Sequence, residues 1–156
     1  VTIVTPSNDS HRVLLRNRGD DEGIISCSAN ENKMSMNGFE VFRFTRNEVP
    51  NLISEYLNLN HQTLANFELI GLHQASKLVV DSLFSLLQHS NTHAENFACS
   101  HVGNIGAGSI GAWLTSVRNL SNLNHPKLLA VGFGSGLSWG VTSLTINVNT
   151  NEVIHV

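Results

Sequence analysis

Two cysteines in 156 residues are too few for a disulfide framework, and Cys27 and Cys99 lack the close spacing of a metal-binding pair. That scarcity places the expected setting in a reducing cytoplasm. Charged residues make up only 13% of the chain, the formal charge is -3, and no run of Lys or Arg occurs. The electrostatic footprint of a nucleic-acid binder is therefore missing. No apolar stretch reaches the ~18 residues that a membrane span requires. What is there is 41% apolar residues, enough for one core that buries roughly 70% of the unfolded surface. Residues 1–156 read as a single globular domain without internal repeats. The chain starts at Val1 with neither Met nor a charged and apolar leader, which suggests a piece of something longer.

The first 38 residues read as extended segments and turns. Residues 2–4, 13–16 and 24–26 are short β-prone runs broken by Ser7-Asn8-Asp9 and Gly19-Asp20-Asp21. From Phe39 the period changes: Phe39, Phe42, Val49, Leu52, Ile53, Tyr56 and Leu57 mark one helical face, which Pro50 should kink or restart. Residues 67–72 predict a buried strand, and Leu78, Val79, Leu83, Leu86 and Leu87 the stripe of a following helix. Residues 97–100 predict a second strand, with Ile110, Trp113, Leu114, Val117 and Leu120 on the helix after it. Residues 127–133 and 141–148 predict strands around a glycine-rich link. The β-α-β-α-β-β order makes this an α/β domain, a layered mixed sheet packed with helices.

Two strand-to-helix turns carry polar residues, Gly71-Leu72-His73-Gln74-Ala75-Ser76 and Gly103-Asn104-Ile105-Gly106-Ala107-Gly108-Ser109. His73 and Asn104 are thus expected to project from neighbouring strand ends into one crevice, where open α/β sheets place their chemistry. An imidazole ending an apolar strand is either a satisfied core group or a functional one. The other histidines point less clearly: His89 and His93 are spaced i, i+4 across a predicted helix end, His11, His61, His125 and His155 lie in polar segments, and His101 adjoins the Asn104 turn. No metal site is expected. Gly106-Ala107-Gly108-Ser109-Ile110-Gly111 fits the dinucleotide fingerprint, but the following strand ends in Val131-Gly132-Phe133-Gly134 where an acidic residue should hold the ribose. Residues 132–140 lack the Lys-Ser/Thr ending of a phosphate loop and lead into a strand, so a hairpin accounts for them.

Together with Met36-Asn37-Gly38-Phe39-Glu40-Val41-Phe42-Arg43-Phe44 and Gly132-Phe133-Gly134-Ser135-Gly136-Leu137-Ser138-Trp139-Gly140, these two turns resemble the C-terminal half of β-ketoacyl-acyl carrier protein synthase III, of the thiolase superfamily. Order and spacing agree over residues 34–146. The resemblance implies a thiolase-like half and gives His73 and Asn104 the family's catalytic roles. In those enzymes a cysteine carries the acyl group as a thioester while the His and Asn face the carbonyl of a malonyl thioester, whose decarboxylation yields an enolate. Preformed donors aimed at that oxygen are each worth ~10²–10³ in rate. The resemblance further implies acyl-coenzyme A and malonyl-carrier protein as substrates, no cofactor, and a homodimer for the whole enzyme. Gly134, Ser135 and Gly136 would bring backbone close to the substrate.

The family's nucleophilic cysteine belongs to an N-terminal half that this sequence does not contain. Cys99 imitates its setting but is expected in the core, and the chain alone is expected to be inactive. Ser76 replaces the family's Asn, Ser135 replaces a Gly, and Leu78 stands at the position of a basic contact for carrier protein or coenzyme A, with Lys77 beside it as the candidate substitute. Other readings keep the fold and change the reaction: a divergent acyltransferase using His73 as general base, or a non-catalytic heterodimer subunit. Dinucleotide binding through residues 106–111 is the remaining alternative.

Overall fold

The computed structural model describes residues 12–20, 23–28, 33–91, 94–117 and 123–146. The expectations for residues 2–4, 7–9, 147 and 148, and for His11, His93, Leu120 and His155, lie outside them. The strands are β1 (Val13–Asn17), β2 (Ile25–Ser28), β3 (Lys33–Met36), β4 (Leu69–Leu72), β5 (Lys127–Gly134) and β6 (Ser138–Thr145). The α-helices are α1 (Gly38–Leu59), α2 (Lys77–Leu87) and α3 (Ser109–Thr115). A four-stranded mixed sheet has the order β1-β6-β5-β4, with β4 and β5 parallel and the other pairs antiparallel. β2 and β3 form a separate antiparallel pair. This is the layered α/β architecture expected from the sequence.

Alternation along β4 distributes its side chains between two cores. Ile70 and Leu72 join the larger one with Phe44, Val49, Leu52, Ile53 and Tyr56 of α1, Val80 and Leu83 of α2, and Leu129 and Val131 of β5. Leu69 joins the smaller one with Leu128, Trp113 and Val117. The two sets face opposite sides of the strand, as a period of two requires.

α1 begins at Asn37, whose side chain accepts from the Glu40 N–H at 3.3 Å, and it runs through Pro50 without ending. The expected restart does not occur, because Val49, Leu52 and Ile53, all 2% exposed or less, anchor the helix on both sides of the proline. α2 is rotated from the expected phase: Val79, Val80, Leu83 and Phe84 are buried, while Leu78 is 67% and Leu86 42% exposed. The apolar arc of this helix is wider than the face that α1 covers, so periodicity alone does not select that face.

The strand expected at residues 97–100 is absent. The edge of β4 where it would pair is occupied by side-chain amides, with Asn91 both accepting from the Ile70 N–H (2.8 Å) and donating to the Ile70 carbonyl (2.9 Å). The Ala98 N–H goes to Gln74 Oε1 at 2.9 Å. Beyond it the chain closes a turn, with the Gly103 N–H donating to the Cys99 carbonyl at 2.8 Å and Gly103 at φ +71.

Candidate active site

Parallel pairing brings the C-terminal ends of β4 and β5 to one rim of the sheet, and His73 is the first residue past β4. Its N–H extends the ladder to the Val131 carbonyl at 2.8 Å. The imidazole is held on two sides: Nδ1 lies 2.7 Å from Ser109 Oγ, and the ring meets Phe133 edge to face, with centroids 5.0 Å apart. Burial pulls the His73 pKa below its ordinary value, so the ring is neutral near pH 7.

Gln74, fully buried, ties this strand end to the segment leading toward Asn104. Its Nε2 donates to the Leu72 carbonyl at 2.9 Å and to the Asn96 carbonyl at 3.2 Å, while its Oε1 holds Ala98. Its own N–H donates to Ser109 Oγ at 3.2 Å. Asn104 itself sits on an exposed loop, and its Oδ1 accepts from the Gly106 N–H at 2.9 Å. That bond occupies the acceptor end of the carboxamide and leaves Nδ2 as a donor. His73 therefore contacts the helix that follows the Asn104 loop, and no hydrogen bond joins His73 to Asn104.

The remaining candidates have local partners. Ser76 caps α2, its hydroxyl accepting from the Val79 N–H at 3.3 Å, and Lys77 forms an i, i+4 ion pair with Asp81 on the exposed face. Gly134, Ser135 and Gly136 turn the β5-β6 hairpin, as the glycine-rich link suggested. Gly136, at φ +135, adopts a conformation that side chains disfavour, and a Cβ there would run into Ser138. Cys99 is 2% exposed as expected, though in a turn and not a strand; burial raises its thiol pKa. Residues 106–111 follow a turn and open a helix of only seven residues, so the strand-to-helix setting of a dinucleotide site is missing. His61, His101 and His125 are exposed. Among the described residues no three His, Cys, Asp or Glu gather as a metal site, and no helix is long and apolar enough to cross a membrane.

Sequence reasoning passed over Gln74, Ser109 and Phe133 as site residues. Ser109 was detectable, since it lies four residues before Trp113 on what becomes the buried side of a short helix.

A family model described as 3-Oxoacyl-[acyl-carrier-protein (ACP)] synthase III C terminal matches residues 57–146. The chain belongs to the 3-oxoacyl-[acyl-carrier-protein] synthase III family. A β-ketoacyl-[acyl-carrier-protein] synthase III of Prochlorococcus marinus subsp. pastoris is 36% identical over 139 residues, covering 86% of this chain and 38% of the relative. That of Acholeplasma laidlawii is 30% identical over 131 residues, covering 83% and 40%. The crystal structure of the synthase III of Aquifex aeolicus superposes with a TM-score of 0.78 at 20% identity, over 91% of this chain and 47% of that one. The chain thus spans about 40% of the length of the curated relatives it matches. The synthase III match covers the His73 and Asn104 turns and the hairpin, and the mixed sheet packed with helices is the thiolase-like fold anticipated from the four sequence blocks.

Proposed function

We propose that this chain is the C-terminal catalytic part of a condensing enzyme that joins an acyl thioester to a malonyl thioester, with His73 and Asn104 as the donors to the thioester oxygen. The observation that carries this reading is the placement of His73: a half-buried imidazole at the end of β4, with Nδ1 engaged by Ser109, Nε2 without a partner among the described residues, and burial pulling its pKa down. Asn104 adds a donor that does not titrate, and its Nδ2 is spared by the Gly106 bond.

The residues divide the reaction as follows. A cysteine from a half of the protein outside this sequence carries the acyl group as a thioester. The malonyl thioester loses carbon dioxide, and the electrons of the broken C–C bond move onto the thioester oxygen as an enolate. Hydrogen bonds from His73 Nε2 and Asn104 Nδ2 to that oxygen stabilise the charge as it develops. The enolate carbon then attacks the acyl carbonyl and the cysteine thiolate departs, so no cofactor is consumed. Acyl-coenzyme A and malonyl-carrier protein are the substrates of this reading, and Lys77, Ser76 and the 134–136 turn are the candidates to meet their non-reacting parts. The whole enzyme is proposed to be a homodimer acting in fatty acid or polyketide synthesis.

The test is condensation by the full protein carrying this chain. His73→Ala and Asn104→Ala are each expected to lower kcat by ~10²–10³. Unchanged condensation in His73→Ala would defeat the assignment.

A further inference from the structure

α3 lies across β4 in a register set by two contacts. A Cβ at Gly71 would meet Trp113 ring carbons at 2.9 and 3.1 Å, so the indole rests directly on the strand backbone. The indole is fully buried, and its Nε1 donates to the Glu95 carbonyl at 2.7 Å. Two strand residues further on, His73 meets Ser109, four helix residues earlier. Two strand residues advance about 6.6 Å and four helix residues about 6 Å, so both contacts form together with the helix running antiparallel to the strand. Seating Trp113 on Gly71 delivers the Ser109 hydroxyl to the imidazole.

The hydrogen on that hydroxyl decides the imidazole's tautomer. Ser109 is fully buried, and its oxygen already accepts the Gln74 N–H at 3.2 Å. A buried O–H left without an acceptor costs free energy. Among the described residues the acceptor it meets is His73 Nδ1, at 2.7 Å. A nitrogen that accepts cannot also carry hydrogen in the neutral ring, so the hydrogen resides on Nε2. We propose that Ser109 is a positioning residue: its hydroxyl, oriented by the Gln74 N–H, donates to His73 Nδ1 and fixes the imidazole as the Nε2–H tautomer. This rests on the catalytic reading above only for its use; the tautomer belongs to the resting protein. Burial favours the neutral ring, the form in which one nitrogen accepts and the other donates.

The experiment is 15N NMR of the histidine-labelled protein at neutral pH, with the His73 signals assigned by their loss in His73→Gln. An unprotonated Nδ1 and a protonated Nε2 are expected, and a protonated Nδ1 overturns the proposal. Ser109→Ala is expected to shift the Nδ1 signal and populate the second tautomer, with kcat falling roughly tenfold, less than loss of the donor itself. His73 signals unmoved by Ser109→Ala would also overturn it. If that variant fails to fold, the wild-type tautomer decides alone. The expected tautomer in a protein whose condensation ignores His73→Gln would sink the catalytic reading and leave the Ser109 assignment standing.

Discussion

His73 links the chemistry of the rim to the stability of the fold through one protonation equilibrium. Its folded-state pKa lies below the ordinary histidine value of about 6.5 because burial penalises the charged ring. Below that value the unfolded chain binds the proton more readily than the folded one, so stability rises with pH across the interval between the two pKa values. The contribution is fully present above about pH 6.5 and is lost as pH falls toward the folded-state value. Urea midpoints of the wild-type chain are expected to drop between about pH 7 and pH 5, with His73→Gln flattening part of that decline. Parallel slopes in the two proteins would show that the ring is not desolvated. Asn104, which does not titrate, contributes nothing to this slope, and its replacement by Ala should leave it intact.

At the scale of elements, α3 and β4 act as a unit, because a glycine on the strand and a tryptophan on the helix set their separation. Gly71→Ala is expected to destabilise the fold by about 1–3 kcal/mol through overpacking against Trp113 and Leu128. It should also lower condensation in the full protein by moving Ser109 off His73. Denaturant unfolding and kcat check the two effects, and a variant with wild-type values of both would show that the helix has room to shift. Much of this level was legible in the sequence. The strand before His73, the helices of residues 38–59 and 77–87, and the glycine-rich hairpin follow from periodicity and turn residues that act locally. The segment of residues 97–100 misled because its composition suits a strand while its neighbours do not: Asn91 and Gln74 satisfy with side-chain amides the backbone groups that a strand would have paired. The phase of α2 was hidden for a related reason, since Leu78 and Leu86 are as apolar as the residues that α1 covers. Ser109 as the partner of His73 depends on the crossing of α3 over β4, a tertiary relation that spacing along the chain does not encode.

For the whole molecule, the proposed condensation requires a cysteine to carry the acyl group. Cys99 lies in the synthase III match and near the site in sequence, yet the residue is only 2% exposed and desolvation raises its thiol pKa. Both properties oppose thiolate formation, and the thiolate is the nucleophile. Cys27 is exposed but stands on β2, in the two-stranded sheet separate from the rim that holds His73. On the proposed reading, a family member that spans about 40% of its relatives' length supplies the donors to the enolate and draws its acyl carrier from elsewhere. Incubation of the 156-residue chain with an acyl-coenzyme A is accordingly expected to leave Cys99 unmodified by intact mass and peptide mapping. The full protein should gain one acyl group, on a cysteine outside residues 1–156. Stoichiometric acylation of Cys99 in the native chain would move the nucleophile into this half and require a different account of the turn at residues 99–103.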